Sequence, residues 1–321
     1  MAIEDSSIYD KRGVTGLSKR VNSMERNLVV VRAGRRSLHP RWLLREDPEF
    51  DLLVAAYEET PGVPTSPRIR EIFLPGRKIA GYYQLFRESP ELLRVYDQIA
   101  LFDDDLDCDA ATINHLFSEG SRYSLELYQP SLTWDSYISY GVFLRNPITR
   151  LRFVNFIEMM CPVFSSSMLA RALPLFAVGL ETGIDLLWCR LLEESGYKFA
   201  VLDSVSARHT RLVGEKKSDQ GFVGENAEYQ TVVDKMALQT GITFMGPVAY
   251  AAVLRNDRRV EGRIKMAALS MAAIFSSQKP RGSKWYYRPI VDHVRHNLTR
   301  PIANELINLS LVVQSLSVQT N

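Results

Sequence analysis

Five aspartates fall within seven positions of this chain: Asp103, Asp104, Asp105, Asp107 and Asp109. In extended backbone, alternate side chains share a face about 7 Å apart. Two carboxylates at that separation repel by about 2 kcal/mol at an effective dielectric of about 20. Several such pairs at the end of an apolar run are costly unless a cation sits among them, and a bound divalent ion reverses the sign of the effect. Oxygen donors of this kind favour Mg²⁺ or Mn²⁺, which keep positions open for phosphates. The competing reading is a solvated acidic loop, with Asp109 capping a helix that begins at Ala110. A calcium loop of the EF-hand kind is excluded. Its sixth position, here Cys108, needs glycine, and its twelfth, here Asn114, needs glutamate.

Other groups could join this chemistry. His209 lies between Arg208 and Arg211. Neighbouring arginines disfavour a charged imidazole, and the neutral form is the one that ligates metals. The two guanidinium forks suit a diphosphate, although a lone histidine is more often a packing residue. Asp185 opens an apolar stretch, where a helix dipole favours a carboxylate by roughly 0.3–1 kcal/mol whatever its role. Arg32 and Gly34 follow the first apolar run. The glycine allows close backbone approach to a nucleotide, but a single glycine without a repeated pattern is a weak signal. Lys78 follows Pro75-Gly76 at a helix start and faces either phosphate or solvent. Glu158 sits in an apolar run, where an acid needs a partner.

The elements that position these groups alternate. Asn27–Val31, Asp51–Tyr57, Glu71–Leu74 and Gln98–Phe102 read as strands, the last running into the acidic cluster. Residues 78–87, 91–96 and 110–117 read as helical, 125–129, 153–159 and 199–202 as strands, and 165–173 and 184–194 as helices. Strands alternating with helices predict an α/β fold with a mostly parallel sheet flanked by helices. Ligands in such sheets bind beyond the carboxyl ends of the strands, which is where the aspartates lie. Residues 214–224 read as a glycine-rich loop. Beyond it, residues 226–240, 247–255, 261–277, 286–297 and 302–316 all read as helices, the last with Ile302, Leu306, Leu309 and Val313 on one stripe. The expected organisation is an arm over 1–25, a catalytic domain over 26–214 and an all-helical extension over 215–321.

The composition, 46% hydrophobic and 24% charged, is that of a globular protein. A net charge of +2 gives no bias toward nucleic acid, so no nucleic-acid partner is expected. The three cysteines are far apart and odd in number, which argues for buried thiols in a reducing compartment. No secretory leader and no membrane-spanning run is legible. The expected location is cytoplasmic, with attachment to the inner face of a membrane as a variant of it.

A series of short motifs resembles domain-of-unknown-function family 707. It begins at Asn27-Leu28-Val29-Val30-Val31-Arg32-Ala33-Gly34 and Ser37-Leu38-His39-Pro40-Arg41-Trp42. It continues through Phe102-Asp103-Asp104-Asp105-Leu106, Gln129-Pro130-Ser131-Leu132-Thr133, Asn155-Phe156-Ile157-Glu158-Met159-Met160 and Gly183-Ile184-Asp185-Leu186-Leu187-Trp188. It closes on Arg208-His209-Thr210-Arg211, covering about residues 27–214. The same pattern resembles a GT-A type glycosyltransferase, with a Rossmann-like nucleotide-binding half. That resemblance implies an Asp-x-Asp metal motif on Asp103 and Asp105, or else on Asp105 and Asp107, a late histidine ligand at His209 and a helix-start base at Asp185. Asp104 would lie with them at the nucleotide. One departure matters: Glu181-Thr182-Gly183 stands where the family has an aromatic-glycine pair, so Glu181 competes with Asp185 as the base.

The implied function is metal-dependent transfer of a sugar, using Mn²⁺ or Mg²⁺, from a nucleoside-diphosphate sugar to a sugar or glycolipid acceptor. Arg32, Gly34, Lys78, Asp103, Asp104, Arg208 and Arg211 would bind the donor. Two other classes fit the same residues. One is a metal-dependent phosphohydrolase or nucleotidyltransferase. The other is a non-catalytic binding or assembly protein that keeps the fold and works through its C-terminal helices, by self-association or by a membrane-bound partner.

Overall fold

The computed structural model describes residues 26–192, 196–212, 225–240, 246–277, 287–300 and 306–317. The expected arm over 1–25 and the loop over 214–224 lie outside them.

The N-terminal half is a parallel block. β1 (Asn27–Ala33) pairs in parallel with both β2 (Asp51–Ala56) and β4 (Gln98–Asp103), and β2 pairs in parallel with β3 (Ile69–Phe73). Leu28 to Ala33 are all buried, as a central strand covered on both faces requires. α1 (Lys78–Glu88) and α2 (Leu92–Val95) carry the chain from β3 back to β4. After a tight turn, β5 (Leu106–Asp107) leads to α3 (Ala110–Arg122). Asp109 caps α3, accepting from the Thr112 backbone N–H at 2.9 Å.

The second half is mixed. It adds β6 (Leu127–Leu132), β7 (Thr149–Val154), β8 (Val163–Ser165), β9 (Phe199–His209), β10 (Ala249–Leu254) and β11 (Arg259–Glu261). The strand order of the 11-stranded sheet is β11-β10-β7-β9-β6-β8-β4-β1-β2-β3, with β5 paired to β9 off that path. The pairings make β1, β2, β3, β4, β6, β9 and β10 run one way and β7, β8 and β11 the other. The sheet is therefore α/β and mostly of one direction, as expected, with antiparallel strands inserted. Pro130 is tolerated inside β6 because the β6–β9 register shifts between Pro130 and Ser131.

The helices are α4 (Ser166–Phe176), α5 (Asp185–Trp188), α6 (Glu225–Thr240), α7 (Arg263–Ser276), α8 (Tyr287–Thr299) and α9 (Leu309–Ser317). Several expectations need correction. The helix expected over 247–255 is β10: its short alanine- and valine-rich run has no decisive period, and pairing with β7 and β11 settles it. The C-terminal region carries helices but is not all-helical, since β10 and β11 extend the common sheet. The strand expected over 153–159 ends at Val154, so Glu158 lies in the following loop. The helix expected over 184–194 is the single turn α5. In α9 the buried residues are Val312 and Leu316, while Leu306 is exposed and Ile302 lies outside the described residues.

One buried ion pair locks the mixed half. Arg152 on β7 donates to Asp203 on β9 through Nε and Nη2, each at 2.8 Å. Arg152 also serves the Val142 and Leu144 carbonyls, and Asp203 also accepts from Asn146 N and Thr149 Oγ1. Every lone pair and donor in this knot is buried, so removing one partner strands the other charge. Asp203→Ala is expected to cost roughly 3–5 kcal/mol, read as a lower urea midpoint. A loss under about 1 kcal/mol would show that the pair is solvated in practice.

Candidate functional site

β4 delivers Asp103 at its carboxyl end, and Asp104 and Asp105 make the turn into β5. The turn is held by its backbone. The Asp104 carbonyl accepts from Leu38 N at 2.6 Å, and the Asp105 carbonyl accepts from Thr210 N at 3.1 Å and Thr210 Oγ1 at 2.8 Å. Each of the three side chains then meets a different cation. Asp103 Oδ1 lies 2.6 Å from Lys78 Nζ, Asp104 Oδ1 lies 3.1 Å from Arg211 Nη1, and Asp105 Oδ2 lies 3.3 Å from His209 Nε2. Asp107 and Asp109 pair with Arg41 and Arg45. The electrostatic need for a metal that the aspartate crowding implied is therefore met by the protein's own cations.

A narrower argument for a metal survives. Among the described residues, no group of three or more His, Cys, Asp or Glu side chains is arranged to hold an ion. Mg²⁺ and Mn²⁺ need fewer, since one or two protein ligands plus substrate phosphates suffice. The His209 ring is set for such a role. Its Nδ1 lies 2.8 Å from the Tyr137 carbonyl, which only accepts, so Nδ1 carries the proton. Nε2 then faces Asp105 Oδ2, and adjacent ligands on an octahedral ion stand about 3 Å apart. Burial works to lower the His209 pKa, but the hydrogen bond and charge of Asp105 outweigh it and hold it above the ordinary value. Asp105 and His209 thus meet as an ion pair, and they would hold a divalent ion once the ion's charge displaces the Nε2 proton. Asp103 is turned to Lys78, which also donates to the Met159 carbonyl at 2.6 Å.

Next to this pair lies a second cluster. Glu158, in the loop after β7, is 7% exposed, and its Oε2 has no hydrogen-bond partner. Burial pushes its pKa up to about 7; a Ser139 hydrogen bond opposes the shift and the Asp185 charge adds to it. Asp185, at the start of α5, accepts from Met159 N at 3.4 Å. Tyr140 completes the group. Burial, then Tyr229, Asp185 and Glu158, push its hydroxyl above the ordinary range. Tyr229 comes from α6, which packs against Gly183. That glycine has φ +84°, a conformation few other residues tolerate.

The other expected site residues serve the fold. Glu181 reaches back to the N-terminus of α1, where its two oxygens accept from Ile79 N at 2.9 Å and Ala80 N at 3.2 Å. That helix has no capping side chain of its own, so Glu181 supplies one, and it is not placed to be the base. Arg32 is buried, with its guanidinium on the Ala55, Leu74 and Gly76 carbonyls. A side chain at Gly34 would meet the ends of the Tyr57 and Glu58 side chains, which would have to shift; the Gly34 N–H donates to Asp104 Oδ2 at 3.1 Å. Asp104 is buried among Gly34, Tyr57 and Arg211, and Arg211 also bonds the Arg36 carbonyl. Arg208, one residue from His209, points the opposite way by strand alternation and pairs with Asp135 at 2.8 Å on the surface. The structure thus gathers Asp103, Asp105, His209, Lys78 and Asp185, and leaves Arg32, Gly34, Asp104, Glu181, Arg208 and Arg211 as supports. Sequence reading missed Tyr140 and Tyr229, for which no spacing signal exists.

No protein-family model matches the chain, and no curated protein matches it. The resemblance to family 707 rests on its motifs alone. Among solved structures, A197 from STIV is 13% identical with a TM-score of 0.35, over 74% of this chain and 94% of that one. S. aureus TarS 1–349 is 8% identical with a TM-score of 0.42, over 92% and 88%. The same TarS fragment in complex with UDP gives 8% and 0.39, over 57% and 59%. Likenesses this distant establish no function.

The Glu158 carboxyl sets a pH dependence. Its folded pKa of about 7 lies above the ordinary 4.5, so the folded state binds the proton more tightly than the unfolded one. The stability it contributes is full below pH 4.5 and is lost as pH rises through about 7, by about 3 kcal/mol at most. Glu158→Gln is expected to flatten the Tm-against-pH curve across that window and to melt above the parent at pH 8. Identical curves for the two proteins would show that Glu158 ionises freely.

Proposed function

We propose that the chain is a glycosyltransferase that moves a sugar from a nucleoside-diphosphate sugar to an acceptor hydroxyl. The observation that carries this reading is the Asp105–His209 pair, with Nδ1 tied to the Tyr137 carbonyl, at the carboxyl end of β4 beside Lys78. An ion held by only two side chains leaves positions open to substrate phosphates. The motif series of the sequence supports the same class.

Mn²⁺ or Mg²⁺, when bound by Asp105 and His209, supplies a Lewis acid for the diphosphate. Lys78, held by Asp103 and the Met159 carbonyl, stands at the same place as a cation for a phosphate oxygen. Asp103, the most exposed of the three aspartates, then faces the donor's hydroxyls. Asp185 takes the proton of the acceptor hydroxyl. The acceptor oxygen bonds to the anomeric carbon as the bond from that carbon to the diphosphate oxygen breaks, and the diphosphate leaves with the electron pair. Glu158, protonated near neutrality, holds the acceptor oxygen by a donated hydrogen bond. Half-buried Tyr140 and Tyr229 form the wall on which a sugar or glycolipid acceptor rests.

The test is incubation of the protein with Mn²⁺, a panel of nucleotide sugars and candidate acceptors, with products resolved by mass. Asp105→Asn is expected to abolish transfer. Asp185→Asn is expected to lower kcat by roughly 10²–10⁴-fold while leaving the thermal shift caused by the donor intact. Full activity in Asp105→Asn would overturn the site assignment. Release of phosphate or pyrophosphate without sugar transfer would move the protein to the hydrolase or nucleotidyltransferase class.

A further inference from the structure

α7 carries an apolar stripe on the wrong side. Its inner face, Met266, Ala267, Ser270 and Ala273, is buried. On the outer face Ile264, Ala268, Met271 and Phe275 recur at helical spacing, and all are exposed: Ile264 by 79%, Met271 by 41% and Phe275 by 81%. At about 100° per residue, Arg263 and Lys265 project to either side of that stripe. Both are exposed, as is Arg258 in the β10–β11 turn. The neighbouring helix α8 repeats the combination, with exposed Val291 and Leu298 along a face that also carries Arg288 and Arg295. Over residues 255–277 and 287–300 the sequence has eight Lys or Arg against three Asp or Glu, although the whole chain is only +2.

Two features say what would cover this face. Arg263 and Lys265 occupy the first turn of α7, where no acidic residue stands. Cations at that end oppose the helix dipole, so nothing within the helix favours them there. A twofold contact with a second copy would bring two like-charged basic faces together, whereas an anionic surface would neutralise them. Among the described residues, no helix is long and apolar enough to cross a membrane. A helix with an apolar outer stripe flanked by cations instead lies in the interfacial plane of a bilayer.

We propose that α7 docks this protein on an anionic lipid surface, with Ile264, Met271 and Phe275 entering the acyl boundary and Arg258, Arg263 and Lys265 facing lipid headgroups. The inference is independent of the transferase reading. Its test is co-sedimentation of the full chain with vesicles of phosphatidylcholine alone, or of phosphatidylcholine with 30% phosphatidylglycerol as about one lipid in three. The expected result is binding to the anionic vesicles only, weakening as salt rises. The pairs Ile264→Ser/Phe275→Ser and Arg263→Glu/Lys265→Glu should each lower the affinity at least about tenfold. Because these side chains are exposed, both variants should keep the parent's Tm. Three results would overturn the proposal: no binding to anionic vesicles, equal binding to neutral ones, or parent-like binding by both variants. A stable dimer in solution that Ile264→Ser/Phe275→Ser dissociates would assign the face to a second copy instead.

Discussion

Three consecutive carboxylates at one strand exit can coexist only if each has its own counter-charge, and the chain supplies these from separate places. Lys78 comes from the start of α1, Arg211 from the segment after β9, and His209 from the end of β9 itself. The arrangement draws distant parts of the sequence to one point. It also divides the labour among the three acids. Asp104 is consumed by Gly34, Tyr57 and Arg211, while its two neighbours meet different partners, Lys78 and His209. A turn with two buried carboxylates and one half-buried is more rigid than an acidic loop in solvent, because turning Asp104 or Asp105 away would leave a cation buried without its partner.

The parallel half was legible in the sequence and the mixed half only in part, since β6 and β9 read as strands but β8, β10 and β11 did not. β1, β2 and β4 are uninterrupted apolar runs ended by glycine or acid, and their type follows from pattern alone. β5 and β8 are two and three residues long, too short for any period to show. β10 is an alanine-rich run whose local preference is ambiguous until β7 pairs with it. In such cases tertiary pairing decides, and no local window contains the information.

The site was legible by residue type but not by role. Asp103, Asp105, His209 and Asp185 could be picked out because their spacing and neighbours are unusual. Arg32, Asp104 and Glu181 looked equally suited to a ligand, since a charge that satisfies buried backbone and a charge that waits for substrate are the same letter in a sequence. What separates them is the partner. For Glu181 that partner is the backbone of Ile79, 102 residues away. The raised pKa of Glu158 likewise depends on burial by loops that a linear reading takes for a strand.

The capping of α1 by Glu181 has a mechanical corollary. Glu228 of α6 binds the backbone N–H groups of Glu181 and Thr182 at 2.8 and 3.2 Å; Glu181 in turn grips the first turn of α1; and Lys78 at that turn holds Asp103. Three carboxylates and one ammonium thus form a linkage running from the C-terminal third of the chain into the aspartate turn. Any tilt of α6 would be transmitted along it as a displacement of Lys78. A fragment ending before α6 would lose both this tether and the strand that covers the edge of β7, leaving an open hydrogen-bonding edge prone to self-pairing. The two segments are therefore one mechanical body.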